Sequence, residues 1–278
     1  MKKIHHKFKK FTEILFDPTV RILPGQIAFF LILSIFPLLM LLGYAASFFD
    51  ISITSLVEVI NEALPKDVAK TIVDVIGGKS FDSTVGISIL TGFLLASNGS
   101  HAIILASNAL YKFPTEDFIK RRIKALILII ILIGLFIFIT LFLAYGNILL
   151  KTILKMIGNP TFSNSIYALF VVVKWPLAMI VMFITIKLIY VIAPDWKILS
   201  RNTTKGALFT TLGWTIATAI FSYYVVHFAN YDIFYGSLSN IIILMIWVYV
   251  LSYVLVIGIA INVKEYRDKE VENYVKEE

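Results

Sequence analysis

The chain has no cysteine. That excludes disulfides, thiolate metal sites, cysteine nucleophiles and lipoprotein-type lipidation, whatever compartment the protein occupies. Charge is scarce as well: 15% of the 278 residues are Asp, Glu, Lys or Arg, against 59% hydrophobic residues and a mean hydropathy of +0.86. Soluble domains carry about 25% charged residues, so a soluble domain is excluded. Enzyme signatures are missing too. There is no GxxxxGK[ST] phosphate loop, no HExxH helix, no GxSxG elbow and no pair of carboxylates inside an apolar segment. The histidines, at 5, 6, 101 and 227, do not fall beside acids at metal-ligand spacing. Catalytic residues, cofactor and metal therefore have no visible seat, and no internal repeat stands out.

What the chain does have is long apolar runs. A helix crossing a bilayer needs roughly 20 mostly apolar residues. Such runs lie at about 27–49, 84–110, 123–150, 166–193, 206–229 and 236–263. The expected fold is all-α, a polytopic bundle of six transmembrane helices forming one domain over 1–278. Residues 1–26 read as a basic arm along the membrane surface, ending at Pro24 and Gly25. Residues 264–278 read as a tail. Between the first and second spans, 50–83, Leu56, Val59, Ile60 and Leu64 recur at helical spacing. Two short external amphipathic helices are expected there, broken near Pro65 and ended by Gly77 and Gly78.

The net charge of +7 raises nucleic acid or anionic lipid as a partner, and its distribution decides between them. Lysines and arginines number six, five, three and four in the first, third, fifth and seventh segments, counting Lys124 at the edge of the third span with the loop before it, against three, two and none in the others. By the positive-inside rule both termini face the cytoplasm, and the even span number agrees. The charge is topological, so nucleic acid is not the expected partner. Lys120, Arg121, Arg122 and Lys124 read as anchors that touch anionic lipid headgroups. A second copy of the chain, or an envelope-assembly protein, stays open as a further partner. Trp175, Tyr145, Tyr167, Tyr231 and Tyr235 fall near expected outer ends, Tyr190 and Trp196 near an inner one.

One span is polar in its middle. In LLASNGSHAIILASNAL, residues 94–110, Ser97, His101 and Asn108 share a narrow helical face, with Asn98 and Ser100 beside it. The span is long enough for a break near Asn98 and Gly99, and broken helices facing a midplane site recur in transporters. The other reading is packing, since Ser, Asn and Gly join helices in lipid and a lone His bonds across them. Further candidates are Ser34 and Pro37 on one face of the first span, Pro37 removing a backbone hydrogen bond. Lys174, in VVVKWPLAM, either needs a partner or snorkels to an interface at Trp175, which its aromatic neighbours favour. At the entry to the last span, Gly236, Ser237 and Asn240 read as a tight turn with a Ser237 cap, or as the mouth of a vestibule. No acid lies deep in a span, which disfavours a carboxylate-driven pump.

Three stretches carry a resemblance. They are GQIAFFLILSIFPLLMLLG, SNGSHAIILASNALYKFPTEDFIKRRIKAL, and the long segment from WPLAMIVMF to VLVIGIAIN. Their most specific pieces are A-F-x-x-x-x-S-x-F-P-L from Ala28 to Leu38, S-N-A-L-Y from Ser107 to Tyr111, Y-G-S-L from Tyr235 to Leu238, and L-x-W-x-Y from Leu244 to Tyr249. With Asn262 near the end of the last span, these resemble the YihY/BrkB family of bacterial inner-membrane proteins over most of residues 20–263. Phe30 stands where the family commonly has Tyr, and His101 where small or aliphatic residues are usual. The resemblance implies a six-helix protein of the bacterial inner membrane, once labelled ribonuclease BN and suspected of moving lipids or lipid-linked envelope precursors. The ribonuclease label finds no support in the residues, because RNA hydrolysis calls for a metal site or acid/base pair beside a basic, water-facing cleft. Two functions are expected in its place: a translocator of lipid or another envelope amphiphile along the polar seam, or a membrane scaffold for envelope assembly using helices 51–77 and the basic loops.

Overall fold

The computed structural model describes residues 18–48, 83–114, 117–139, 142, 146–157, 160–227 and 236–277. Among these the chain is helical, with no strand. Its helices are α1 (Pro18–Phe48), α2 (Ser83–Ala96), α3 (Asn98–Tyr111), α4 (Phe118–Ile139), α5 (Gly146–Ile157), α6 (Pro160–Ile192), α7 (Thr204–His227) and α8 (Ser239–Glu277). Short 3-10 turns at Ser200–Thr203 and Gly236–Leu238 lead into α7 and α8.

The core forms where α3 lies against α1, α4 and α8, with α7 packed on α8 and α6 on α4 and α7. Ile27, Ile103, Ile104, Leu128, Ile186, Ile189, Val256 and Ile259 are fully buried there. Outward, α6 exposes Ile180, Ile184 and Leu188, and α7 exposes Ile216 and Ile220. Rows of exposed aliphatic side chains on regular helices are what a hydrocarbon solvent requires, because each backbone polar group is satisfied within its own helix. Four described helical stretches are long and apolar enough to cross a membrane: Leu90–Tyr111, Ser165–Ile192, Ser200–His227 and Ile241–Lys269. The apolar part of α1 whose side chains are described, Val20–Ile35, is shorter.

Several expected boundaries move. The first helix does not wait for Pro24 and Gly25; it begins at Pro18 and runs through both, because Val20 and Leu23 already face the core. Pro24, the seventh residue, is past the first turn and leaves Val20 O without its usual backbone donor, a cost the helix absorbs. Residues 18–26 thus belong to the bundle, and only residues 1–17 of the expected surface arm lie outside the described residues. Of the expected span 123–150, residues 140, 141 and 143–145 lie outside the described residues. α4 ends at Ile139, and Gly146 and Asn147 open α5, an amphipathic helix that buries Leu154 and exposes Lys151 and Lys155. The last helix does not stop at 263: α8 has 39 residues, about 58 Å at 1.5 Å per residue, nearly twice the hydrocarbon thickness. The amphipathic helices expected within 50–83 lie outside the described residues, apart from Ser83, which opens α2.

Candidate functional site

The polar middle of the second span is a joint. Helix α2 ends at Ala96, Ser97 sits between, and α3 starts at Asn98, one residue before the expected place. The backbone barely opens, since Ser97 N–H still donates to Phe93 O (3.1 Å) and His101 N–H to Ser97 O (2.9 Å). The groups a break would free are taken up by side chains from neighbouring helices. Ser34 Oγ on α1 donates to Phe30 O (2.6 Å) and accepts the Gly99 N–H (3.1 Å), so one hydroxyl serves two helices. Only glycine fits at 99: a Cβ there would lie 2.7 Å from Leu31 Cδ2 and 3.0 Å from Leu31 Cα. Ser97 Oγ and the Arg122 guanidinium both donate to Leu94 O, and Arg122 also donates to Asn98 Oδ1 (2.9 Å). Ser100 Oγ, fully buried, donates to Ala125 O of α4 at 2.6 Å.

Ten residues further along α3 lies a second polar centre. The Asn108 amide pairs with Asp195: Nδ2 donates to Oδ2 at 2.7 Å, and Oδ1 accepts the Asp195 N–H at 2.8 Å. Lys124 of α4 donates to Asp195 Oδ1 (3.2 Å) and to Pro194 O (3.1 Å). The Asp195 side chain is fully buried, so its charge is held by Lys124 in a low-dielectric setting. This ties α3, α4 and the end of α6 together. Tyr111, Phe113, Trp196 and Tyr266 stack beside it, and Arg267 of α8 donates to Leu110 O. Between the two centres stands His101, whose Nε2 is buried with no hydrogen-bond partner; Arg121 Nε is in the same condition.

A third centre joins α7 to α8. The Gly206 N–H donates to Asn262 Oδ1 at 2.8 Å. Tyr190 OH donates to Leu255 O (2.8 Å) and lies 2.6 Å from Thr210 Oγ1. Tyr190 is 2% exposed, so it is an interhelical tie and not the interfacial aromatic expected of it.

The remaining candidates lie elsewhere. Lys174 is buried on α6, with Nζ 3.3 Å from Asn147 Oδ1 on α5 and 5.7 Å from the Trp175 ring centroid. Gly236 takes a positive φ of +51°, which makes it the turn residue, and Ser239 Oγ donates to its carbonyl (2.7 Å). The side chains of Ser237, Asn240 and Pro37 lie outside the described residues; Pro37 is within α1. So the structure gathers Ser34, Ser97, Asn98 and Ser100 at one joint and carries Asn108 to another centre. Lys174 is far from both in the chain's packing order, on the α5–α6 pair. Of the four expected headgroup cations, Arg122 and Lys124 are engaged inside the bundle, and Lys120 is exposed. Among the described residues no three His, Asp or Glu side chains come together as a metal site.

A family model described as "Virulence factor BrkB" matches residues 19–277. The chain belongs to the BrkB family. Among curated BrkB-like relatives, a Bacillus subtilis protein named "Putative ribonuclease-like protein YfkH" is 29% identical over 252 residues, 89% of this chain and 90% of that one. A UPF0761 membrane protein of Idiomarina loihiensis is 28% identical over 102 residues, 36% of each chain, and one of Tolumonas auensis is 36% identical over 73 residues, 26% of this chain and 24% of that one. No solved structure matches. This BrkB chain is thus a membrane protein of apolar helices. Its buried carboxylate, Asp195, escapes sequence reasoning because P-D-W-K after a span looks like a solvated loop. Asn108 and Asp195 are 87 positions apart, and no periodicity links them. The α7–α8 tie did leave a signal: Gly206, Thr210 and Gly213 at helical spacing are the small-residue pattern of close helix crossings.

Proposed function

We propose that this BrkB-family chain is a multi-pass protein of the bacterial cytoplasmic membrane, both termini in the cytoplasm, that translocates lipid or another envelope amphiphile along α3. The observation that carries the reading is His101. An imidazole nitrogen buried without a partner costs about 1–3 kcal/mol unless water or a polar headgroup reaches it. Its partner then comes from outside the protein, at a point flanked by polar centres on both sides. Acyl chains would remain against the exposed aliphatic faces while the headgroup meets the seam.

No catalytic role is part of this proposal. The word ribonuclease belongs to the name of the Bacillus relative. In this chain both carboxylate oxygens of Asp195 are hydrogen-bonded within the bundle, which leaves it poorly placed as a general base for RNA.

The scaffold reading draws on a different observation: at the Ser97 joint the freed backbone groups are bonded internally, as in a packed element. One experiment separates the two. Single cysteines at Ser97 and His101, with Ile103 and Leu105 as apolar controls, are labelled with a membrane-impermeant thiol reagent from each side. Labelling at His101 with silent controls supports the pathway; silence at every position in folded protein refutes it and leaves the scaffold. The companion assay is lipid scrambling in vesicles reconstituted with the protein.

A further inference from the structure

We infer that Lys174, with Asn147 and Trp175, forms a binding site for the phosphate of an anionic membrane phospholipid. The site is independent of whether lipid is carried along α3. Lys174 is 8% exposed, and its ammonium has three N–H donors. Among the described residues its acceptor is one neutral oxygen, Asn147 Oδ1 at 3.3 Å, supplemented by the face of Trp175. A buried ammonium so placed is short of negative charge.

The described helices packed against α6 do not supply it. From 118 to 194, which covers α4, α5 and α6, there is no Asp or Glu. Asp195 and Glu265 are paired elsewhere, with Lys124 and with Lys205 and Lys269. Meanwhile α5 runs antiparallel beside α6, since Asn147 meets Lys174, Lys151 lies 4.8 Å over the Tyr167 ring, and Ser163 Oγ donates to Leu154 O. That pair carries Lys151, Lys155, Lys174 and Lys187 with no acid. The ligand that fits is an anion with an apolar body, because Leu169, Val172, Val173 and Trp175, all within five residues of Lys174 on α6, are exposed. Lys174 lies nine residues inside the apolar stretch Ser165–Ile192, about 14 Å from the end away from Asp195, so an anion that reaches it must be drawn in below the headgroups.

The test is native mass spectrometry of the full chain in neutral detergent, titrated with phosphatidylglycerol or phosphatidylcholine. Wild-type protein is expected to prefer phosphatidylglycerol by about tenfold in Kd. Lys174→Gln brings the ratio near one, Lys174→Arg keeps it, and Lys187→Gln, at the other lysine of α6, leaves it unchanged. Millimolar inorganic phosphate is expected to leave the lipid bound; displacement would make this a free-phosphate site and overturn the lipid assignment. Equal binding of the two lipids by wild type, or an undiminished preference in Lys174→Gln, also overturns it. Should that variant fail to fold, a photoreactive phosphatidylglycerol decides on wild type: crosslinks in α5 and α6 peptides support the site, and crosslinks confined elsewhere refute it.

Discussion

Gly206→Ala is the sharpest test of how this bundle is held together. A Cβ at 206 would strike the Gly258 carbonyl oxygen and the Asn262 side-chain amide, and the first of these is backbone of the facing helix. The Gly258 carbonyl cannot turn aside, so α7 and α8 must move apart. Overpacking of this kind costs about 1–3 kcal/mol. Separation also breaks the bond from Gly206 N–H to Asn262 Oδ1, leaving a buried donor and acceptor unpaired at about 1–3 kcal/mol more. Alanine's better helix propensity returns up to about 1 kcal/mol. The net expectation is a loss of about 1–6 kcal/mol, centred near 3. Gly134→Ala on α4 is the matched control, since a Cβ there would meet nothing within 4 Å; it keeps only the propensity gain. Unfolding in mixed micelles, followed by Trp fluorescence, measures both. Wild-type stability in Gly206→Ala, or a larger loss in Gly134→Ala, would refute the close crossing.

Other expectations follow from the same contacts. Asp195→Ala strips Lys124 and Asn108 of their partner and should cost about 3–5 kcal/mol in the same unfolding assay, with Lys124→Met restoring part of the loss in the double variant. Ser34→Ala removes the acceptor of the Gly99 amide, so hydrogen exchange at Gly99 should accelerate while distant α3 amides keep their protection; an unchanged Gly99 would show that the bond is not formed. Lys112 caps α3 at a φ of +60°, where glycine is unstrained, and Lys112→Gly should stabilise the fold by up to about 1 kcal/mol in thermal unfolding.

Much of the helical layout is legible because hydrocarbon solvent demands long uninterrupted apolar helices, and 204–227 needs nothing more than that pattern to be placed. The joint near Asn98 is legible for the same reason, as a polar interruption. What sequence cannot convey is which polar group meets which. Ser34 looks like a member of a kinked face, yet its part is to accept an amide 65 positions away. Arg122 looks like an interfacial anchor, yet its guanidinium closes the end of α2. Boundaries fail where tertiary burial outweighs local breakers, as at Pro24. Long polar-to-polar separations leave no periodic trace.

The length of α8 has a mechanical consequence. Because its helix continues unbroken from the membrane segment to Glu277, the tail is not a tether but a shaft, and angular position is transmitted along it. Each inserted residue turns everything beyond it by about 100° and advances it by about 1.5 Å. A single insertion beyond Lys269 would therefore leave the bundle intact and point the terminal charges in a new direction, whereas seven inserted residues would nearly restore the original heading, some 10 Å farther out.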